Sequence, residues 1–236
     1  MTTKRTADEF VKRMKALSSS SVVKSHAHLA SDEGDLILGV RMGQVFALAK
    51  EFMDMSLEEV EKLLESSIHE ARVGAVSIMD FQARSKKTTD ARKKELFDLY
   101  IQRHDRINTW DLVDRSAPYV VGGYLFDKPR KILFKLARSR KMPERRTAIV
   151  STGYFIRQGG VEDTFKIAGM LIDDKEDLIH KATGWMLRAA GDVNQQKLVG
   201  FLDTYAASMP RVTLRYATEH LDKKQREKYS ERKKQG

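Results

Sequence analysis

The sequence predicts an all-α fold, a superhelix of stacked helix pairs. Three observations carry this. Apolar residues recur at spacings of three and four along most of the chain. No convincing alternation of apolar and polar residues marks a strand. A segment of about 36 residues repeats.

The elements follow in order. Residues 6–17 form an amphipathic helix through Phe10, Val11, Met14 and Leu17, and the run Ser18-Ser19-Ser20-Ser21 breaks it. Residues 26–35 are polar and are expected to form a loop. Gly39-Val40-Arg41 leads into a helix carried by Val45, Phe46, Leu48, Ala49 and Phe52. Ser56 is an N-cap signal with Glu59 three residues on, followed by Val60, Leu63 and Leu64. Residues 92–100 and 131–137 behave similarly. Pro118, Pro129, Pro143 and Pro210 all fall where a helix can start or break. Ala148-Ile149-Val150-Ser151-Thr152 is the nearest approach to a strand, but helical residues flank it.

The repeat is directly visible. His69-Glu70-Ala71-Arg72-Val73-Gly74-Ala75 resembles Pro143-Glu144-Arg145-Arg146-Thr147-Ala148-Ile149, and both resemble Ile179-His180-Lys181-Ala182-Thr183-Gly184-Trp185. With Arg72, Trp110, Arg146 and Ala182 as equivalent points the spacings are 38, 36 and 36, and a further 36 reaches Thr218. Small residues (Gly74, Ala148, Gly184) recur at one position, where helices would pack closely. Second helices lie between, at 96–100, 131–137, 161–171 and 198–205. This is the pattern of a solenoid of the HEAT or armadillo type, whose equivalent positions line one concave, basic groove. Residues 1–221 are expected to form one domain, and 222–236 a basic, frayed tail.

Composition narrows the partners. The 236 residues carry a net charge of +10. The segment 222–236 holds seven basic residues against three acids, so +6 remains on the body of the chain. Charge spread in this way suits a polyanion such as nucleic acid. There is no cysteine, which excludes disulfides and thiolate zinc sites. No run of eighteen apolar residues and no apolar signal core near the first residues is present, so no membrane partner and a cytoplasmic location are expected.

Trp110-Asp111-Leu112-Val113-Asp114 is the most informative stretch. Trp110 and Asp114 are four apart and share a helix face. An indole and a carboxylate there suit a ligand that is cationic and flat. Either tryptophan alone would read as core packing. Two tryptophans, an aspartate and Arg146, in register across three repeats, point instead to a common cleft. Arg188 follows Trp185 by three residues and is a candidate phosphate contact. Arg72, Arg145, Lys181 and Arg215 are further groove candidates. Asp111 reads as an outward or helix-start acid, and Glu70 and Glu144 as capping or inter-repeat residues. The six histidines show no metal-site spacing, and Gly122-Gly123 and Gly159-Gly160 lack the Lys-Ser/Thr of a phosphate loop. No metal and no cofactor is expected.

At these residues the chain resembles the AlkD family of DNA alkylation-repair glycosylases, built from HEAT-like repeats. The matching pieces are Gly39-Val40-Arg41, His69-Glu70-Ala71-Arg72, Trp110-Asp111-Leu112-Val113-Asp114, Arg146 with Ala148-Ile149, residues 181–188 and Leu214-Arg215-Tyr216-Ala217. The resemblance implies excision of N3- and N7-alkylated purines from double-stranded DNA, as a step of base excision repair, without flipping the base. It implies Asp114 as the catalytic carboxylate, Trp110 and Trp185 against the sugar and backbone of the lesion, and Arg146 on the adjacent phosphate. There are two departures. No tyrosine is placeable near Lys24-Ser25-His26-Ala27-His28, and Tyr154 stands where some members carry a lysine. A curved groove for duplex DNA needs only a monomer, and in a bacterium a nucleoid association is expected. The competing readings are a non-catalytic binder of damaged or branched DNA and a helical-repeat adaptor for acidic proteins.

Overall fold

The computed structural model describes residues 5–26 and 34–235. Fourteen α-helices and no strand occur among the described residues, so the chain is all-α. The helices gather into two compact units, Met1–Tyr124 and Leu125–Gly236.

The first unit holds α1 (Ala7–Lys15), α2 (Ser20–His26), α3 (Met42–Glu51), α4 (Leu57–Leu64), α5 (His69–Arg84), α6 (Asp90–Gln102) and α7 (Trp110–Ala117). A π-helical segment, Pro118–Gly123, continues α7. α5 is the central helix, packed on α3, α4 and α7, and its buried residues include Val73, Ala75, Val76, Ile78 and Met79. Ser56 caps α4 as its sequence signal predicts, its hydroxyl accepting from the Glu59 N–H at 3.4 Å. Glu59 does not complete a capping box on its own helix. Its carboxylate instead accepts the Ala7 N–H of α1 at 2.8 Å, so one signal caps two helices.

The second unit holds α8 (Lys131–Leu136), α9 (Met142–Arg157), α10 (Glu162–Met170), α11 (Asp177–Val193), α12 (Gln195–Tyr205), α13 (Arg211–Ala217) and α14 (Lys223–Gln235). α11 is its centre, packed against α9, α10, α12 and α13. The small repeat residues do mark close approaches. A Cβ on Gly184 would stand 2.6 Å from the Tyr216 Cβ and 2.8 Å from the Thr213 carbonyl oxygen. One on Gly74 would stand 2.4 Å from the Phe10 ring.

Two expectations change. The serine run follows α1 and begins α2, which takes in His26, the first residue expected to be loop; residues 27–33 of that loop, and with them Ala27 and His28, lie outside the described residues, and Gly34 and Asp35 are non-helical. The segment expected to fray is helical. Tyr229 docks it, 1% exposed, its hydroxyl 3.1 Å from Asp203 Oδ1. A single aromatic anchor leaves no periodic stripe for sequence reading to detect.

Candidate functional site

α7 carries two side-chain pairs, and they do different work. Trp110 and Asp114 are both half-buried. One residue on, about 100° further round the helix, lie Asp111 and Arg115. Asp111 is the first-turn acid of α7, one of the two readings the sequence offers, but it faces inward rather than outward. Its Oδ2 lies 2.7 Å from Nε2 of the fully buried His69 on α5, and its Oδ1 accepts the Thr109 hydroxyl at 2.7 Å. Burial alone would raise the Asp111 carboxyl; the His69 hydrogen bond and charge, with the Thr109 hydroxyl, outweigh it and hold the group below its ordinary range. His69 Nε2 therefore donates to an ionised carboxylate.

Arg115 fastens the other end of the helix. Its Nη1 lies 2.7 Å from Oδ2 of the buried Asp80, and its Nε donates to Ser77 Oγ at 3.0 Å. The guanidinium sits between the rings of Phe46 (4.8 Å) and Phe81 (4.9 Å). Asp80 also accepts from Arg84 Nε at 2.9 Å. Its carboxyl is nonetheless pushed up by burial, with Arg115 and Arg84 opposing. A buried hydrogen bond, His69–Asp111, and a buried ion pair, Asp80–Arg115, thus clamp α7 to α5 four residues apart and set the direction of the Trp110/Asp114 face. Below them Pro118 has no N–H to give the Asp114 carbonyl four residues back, and the helix passes into its π register there.

In the second unit, Trp185 is half-buried on α11. Arg188, one turn on, pairs with Glu219. Lys181 pairs with Asp177 at 3.2 Å. Arg146 on α9 is 4% exposed and donates to the Leu178 carbonyl at the start of α11. Tyr154 packs edge-on against Phe126, centroids 5.7 Å apart. Arg215 is exposed, over the Tyr216 ring at 5.4 Å.

Two of the groove candidates are structural. Arg72 is fully buried and makes a two-pronged pair with Asp35 (2.7 and 2.5 Å), with a third bond to the Ser66 carbonyl at 3.2 Å. Arg145 does the same with Asp174 (2.5 and 3.1 Å) and the Ser139 carbonyl at 3.0 Å. Neither fork is open to a phosphate. Glu70 has an inter-segment role, its carboxylate accepting the N–H groups of Leu38 (3.1 Å), Gly39 (2.8 Å) and Val40 (3.3 Å), whereas Glu144 only approaches Lys141 at 3.7 Å. Sequence reading missed the clamps His69–Asp111 and Asp80–Arg115, because their partners are 42 and 35 residues apart and no local motif links them. Among the described residues no three His, Cys, Asp or Glu side chains gather to hold a metal ion, and no helix is long and apolar enough to cross a membrane.

The sequence model of the DNA alkylation repair enzyme family matches residues 4–221. Among solved structures, a predicted DNA alkylation repair enzyme from Enterococcus faecalis is similar over 87% of this chain and 97% of its own, with a TM-score of 0.65 and 17% sequence identity. That likeness is one of fold. No curated protein matches. The family match spans both units and includes every residue of the clamped α7, and by it the chain belongs to the DNA alkylation repair enzymes.

Proposed function

We propose that the protein is a DNA glycosylase of the AlkD type, hydrolysing the N-glycosidic bond of N3- and N7-alkylated purines in duplex DNA without turning the base out of the helix. The observation that carries the reading is the clamped α7, which offers an indole and a carboxylate from one helix face.

The chemistry suits those groups. A purine alkylated at N3 or N7 is cationic and leaves readily, so a strong general acid is not required. The departing base leaves a deoxyribose that is flat and cationic. A fixed carboxylate next to it lowers the barrier electrostatically, and more so where water is partly excluded. Asp114 takes this role, and the same oxygen orients or deprotonates the attacking water. Trp110 and Trp185 serve as aromatic faces for the sugar, each contributing about 0.5–2 kcal/mol. Arg146 and Arg188 are the proposed phosphate-holding residues. For each, DNA competes with an existing contact, the Leu178 carbonyl and the Glu219 carboxylate. No metal or organic cofactor is needed, and residues 1–221 serve the one activity.

The test uses purified protein and duplex DNA bearing N7-methylguanine or N3-methyladenine, scored for abasic sites. Wild type should release both. Asp114→Asn should slow release by about 10²–10³-fold. Uracil should stay in place, because one carboxylate cannot compensate for a neutral leaving group. Rapid uracil release would contradict the mechanism. Tight duplex binding with no release of either base would favour a non-catalytic damage binder.

A further inference from the structure

The second unit has a feature of which the proposed excision uses only Arg188. α11, α13 and α14 border an open groove of about 990 Å³. Five basic side chains line it: Arg188, Arg211, Arg215, Lys223 and Arg226. Two acids, Glu219 and Glu227, also line it. Glu219 is paired with Arg188, and Glu227 lies 3.9 Å from Lys223. Among the described residues Arg211, Arg215 and Arg226 have no carboxylate partner, so the groove carries three more basic than acidic side chains. Such an arrangement repels itself until an anion enters.

The groove exists only because α14 docks. Gln225, Lys228 and Tyr229 form one stripe of that helix, at spacings of three and one. They reach Gln195 (3.2 Å), Asp203 (3.2 Å) and the Val199 carbonyl (3.4 Å). The adjoining stripe, Lys223, Arg226 and Ser230, becomes a wall of the groove.

We infer that this groove is a phosphate-backbone site for DNA, and that α14 is its charged wall, adding affinity without taking part in bond cleavage. The inference rests on the DNA-repair reading and adds a binding surface to it. Four of the five basic groups are arginines, whose planar forks match phosphate oxygens two at a time. Tyr216, beneath Arg215, adds an aromatic surface next to the charges. A row of guanidinium groups along one channel suits a repeating phosphodiester better than a single small anion.

The experiment measures duplex binding of the full chain against salt, with Arg211→Gln/Arg226→Gln and, separately, Glu227→Gln. Each lost phosphate contact should reduce the log–log salt slope by about 0.9, so the double variant should lose close to two units and bind about tenfold or more weakly at low salt. Glu227→Gln should bind a few-fold more tightly, a gain that misfolding cannot imitate. Release of N7-methylguanine at saturating DNA should be unchanged in all three proteins. An unchanged slope in a double variant with wild-type helicity overturns the groove. So does weaker binding of polyglutamate with unaltered DNA binding, which would mark an acidic protein as the occupant. If wild type excises but the slope is unmoved, the groove alone fails; if the slope falls while wild type excises nothing, the glycosylase reading alone fails.

Discussion

Helices α5 and α9 are both 16 residues long and open with similar sequences, yet they are held from opposite directions. On α5, Arg72 reaches back to Asp35, 37 residues earlier. On α9, Arg145 reaches forward to Asp174, 29 residues later. In each case a second bond goes to the carbonyl six residues before the arginine. The latch is the same and only its carboxylate comes from a different side of the chain. A recurrent arginine in these repeats is therefore a fastening first. Alignment by sequence pairs Arg72 with Arg146, whereas hydrogen bonding pairs it with Arg145, one position away. One position is about 100° on a helix, which separates a latch from a neighbouring face.

The largest expected effects lie at the two latches. Arg72→Ala leaves Asp35, 7% exposed, as a buried charge with its main partner gone, and should cost about 3–5 kcal/mol in denaturant unfolding. Arg145→Ala should cost less, since that guanidinium retains 14% exposure and water can reach the site. Equal costs would mean that the exposure of the guanidinium does not matter.

Asp114→Asn should show the converse pattern. The rate should fall by the equivalent of about 3 kcal/mol while the unfolding midpoint stays within the scatter of surface substitutions. A large loss of stability would place Asp114 with the fastenings.

Next in size is the close packing of α11 on α13. Gly184→Val drives side-chain carbons into Thr213 backbone and Tyr216 Cβ and should cost about 1–3 kcal/mol by thermal unfolding. Gly153→Ala meets only the flexible Met186 sulfur at 3.4 Å, and its effect should be under about 1 kcal/mol.

The smallest effect is one of pH. The folded-state Asp111 carboxyl lies below its ordinary value, so its contribution to stability is complete above the ordinary carboxylate range and is lost as pH falls through the lower, folded-state value. Asp111→Asn should flatten that acid limb by about 1 kcal/mol, measured by urea unfolding at a series of pH values. No flattening would show that His69 does not depend on the charge.

Much of this molecule is legible in its sequence. The helix pairs follow from apolar spacing, and Gly74 and Gly184 lie where helices approach because only a missing Cβ permits it. Trp110 and Asp114 share a face through simple helical phase. The rest depends on partners that periodicity does not encode. Asp35 chooses Arg72, and His69 chooses Asp111, through the folded path of the chain. α14 reads as a tail because its buried aromatic anchor, Tyr229, stands among charges without an apolar companion.

The π segment after α7 has a consequence for sequence length. Pro118–Gly123 spends an extra residue per turn, so it acts as a built-in insertion. Removing one of those six residues would restore a more regular spiral. It would also turn Tyr124 by about 100°, off the face of Phe97, with which it stacks at 4.6 Å. The shorter and more ideal helix would be the mis-phased one, and this stretch should tolerate substitutions far better than deletions.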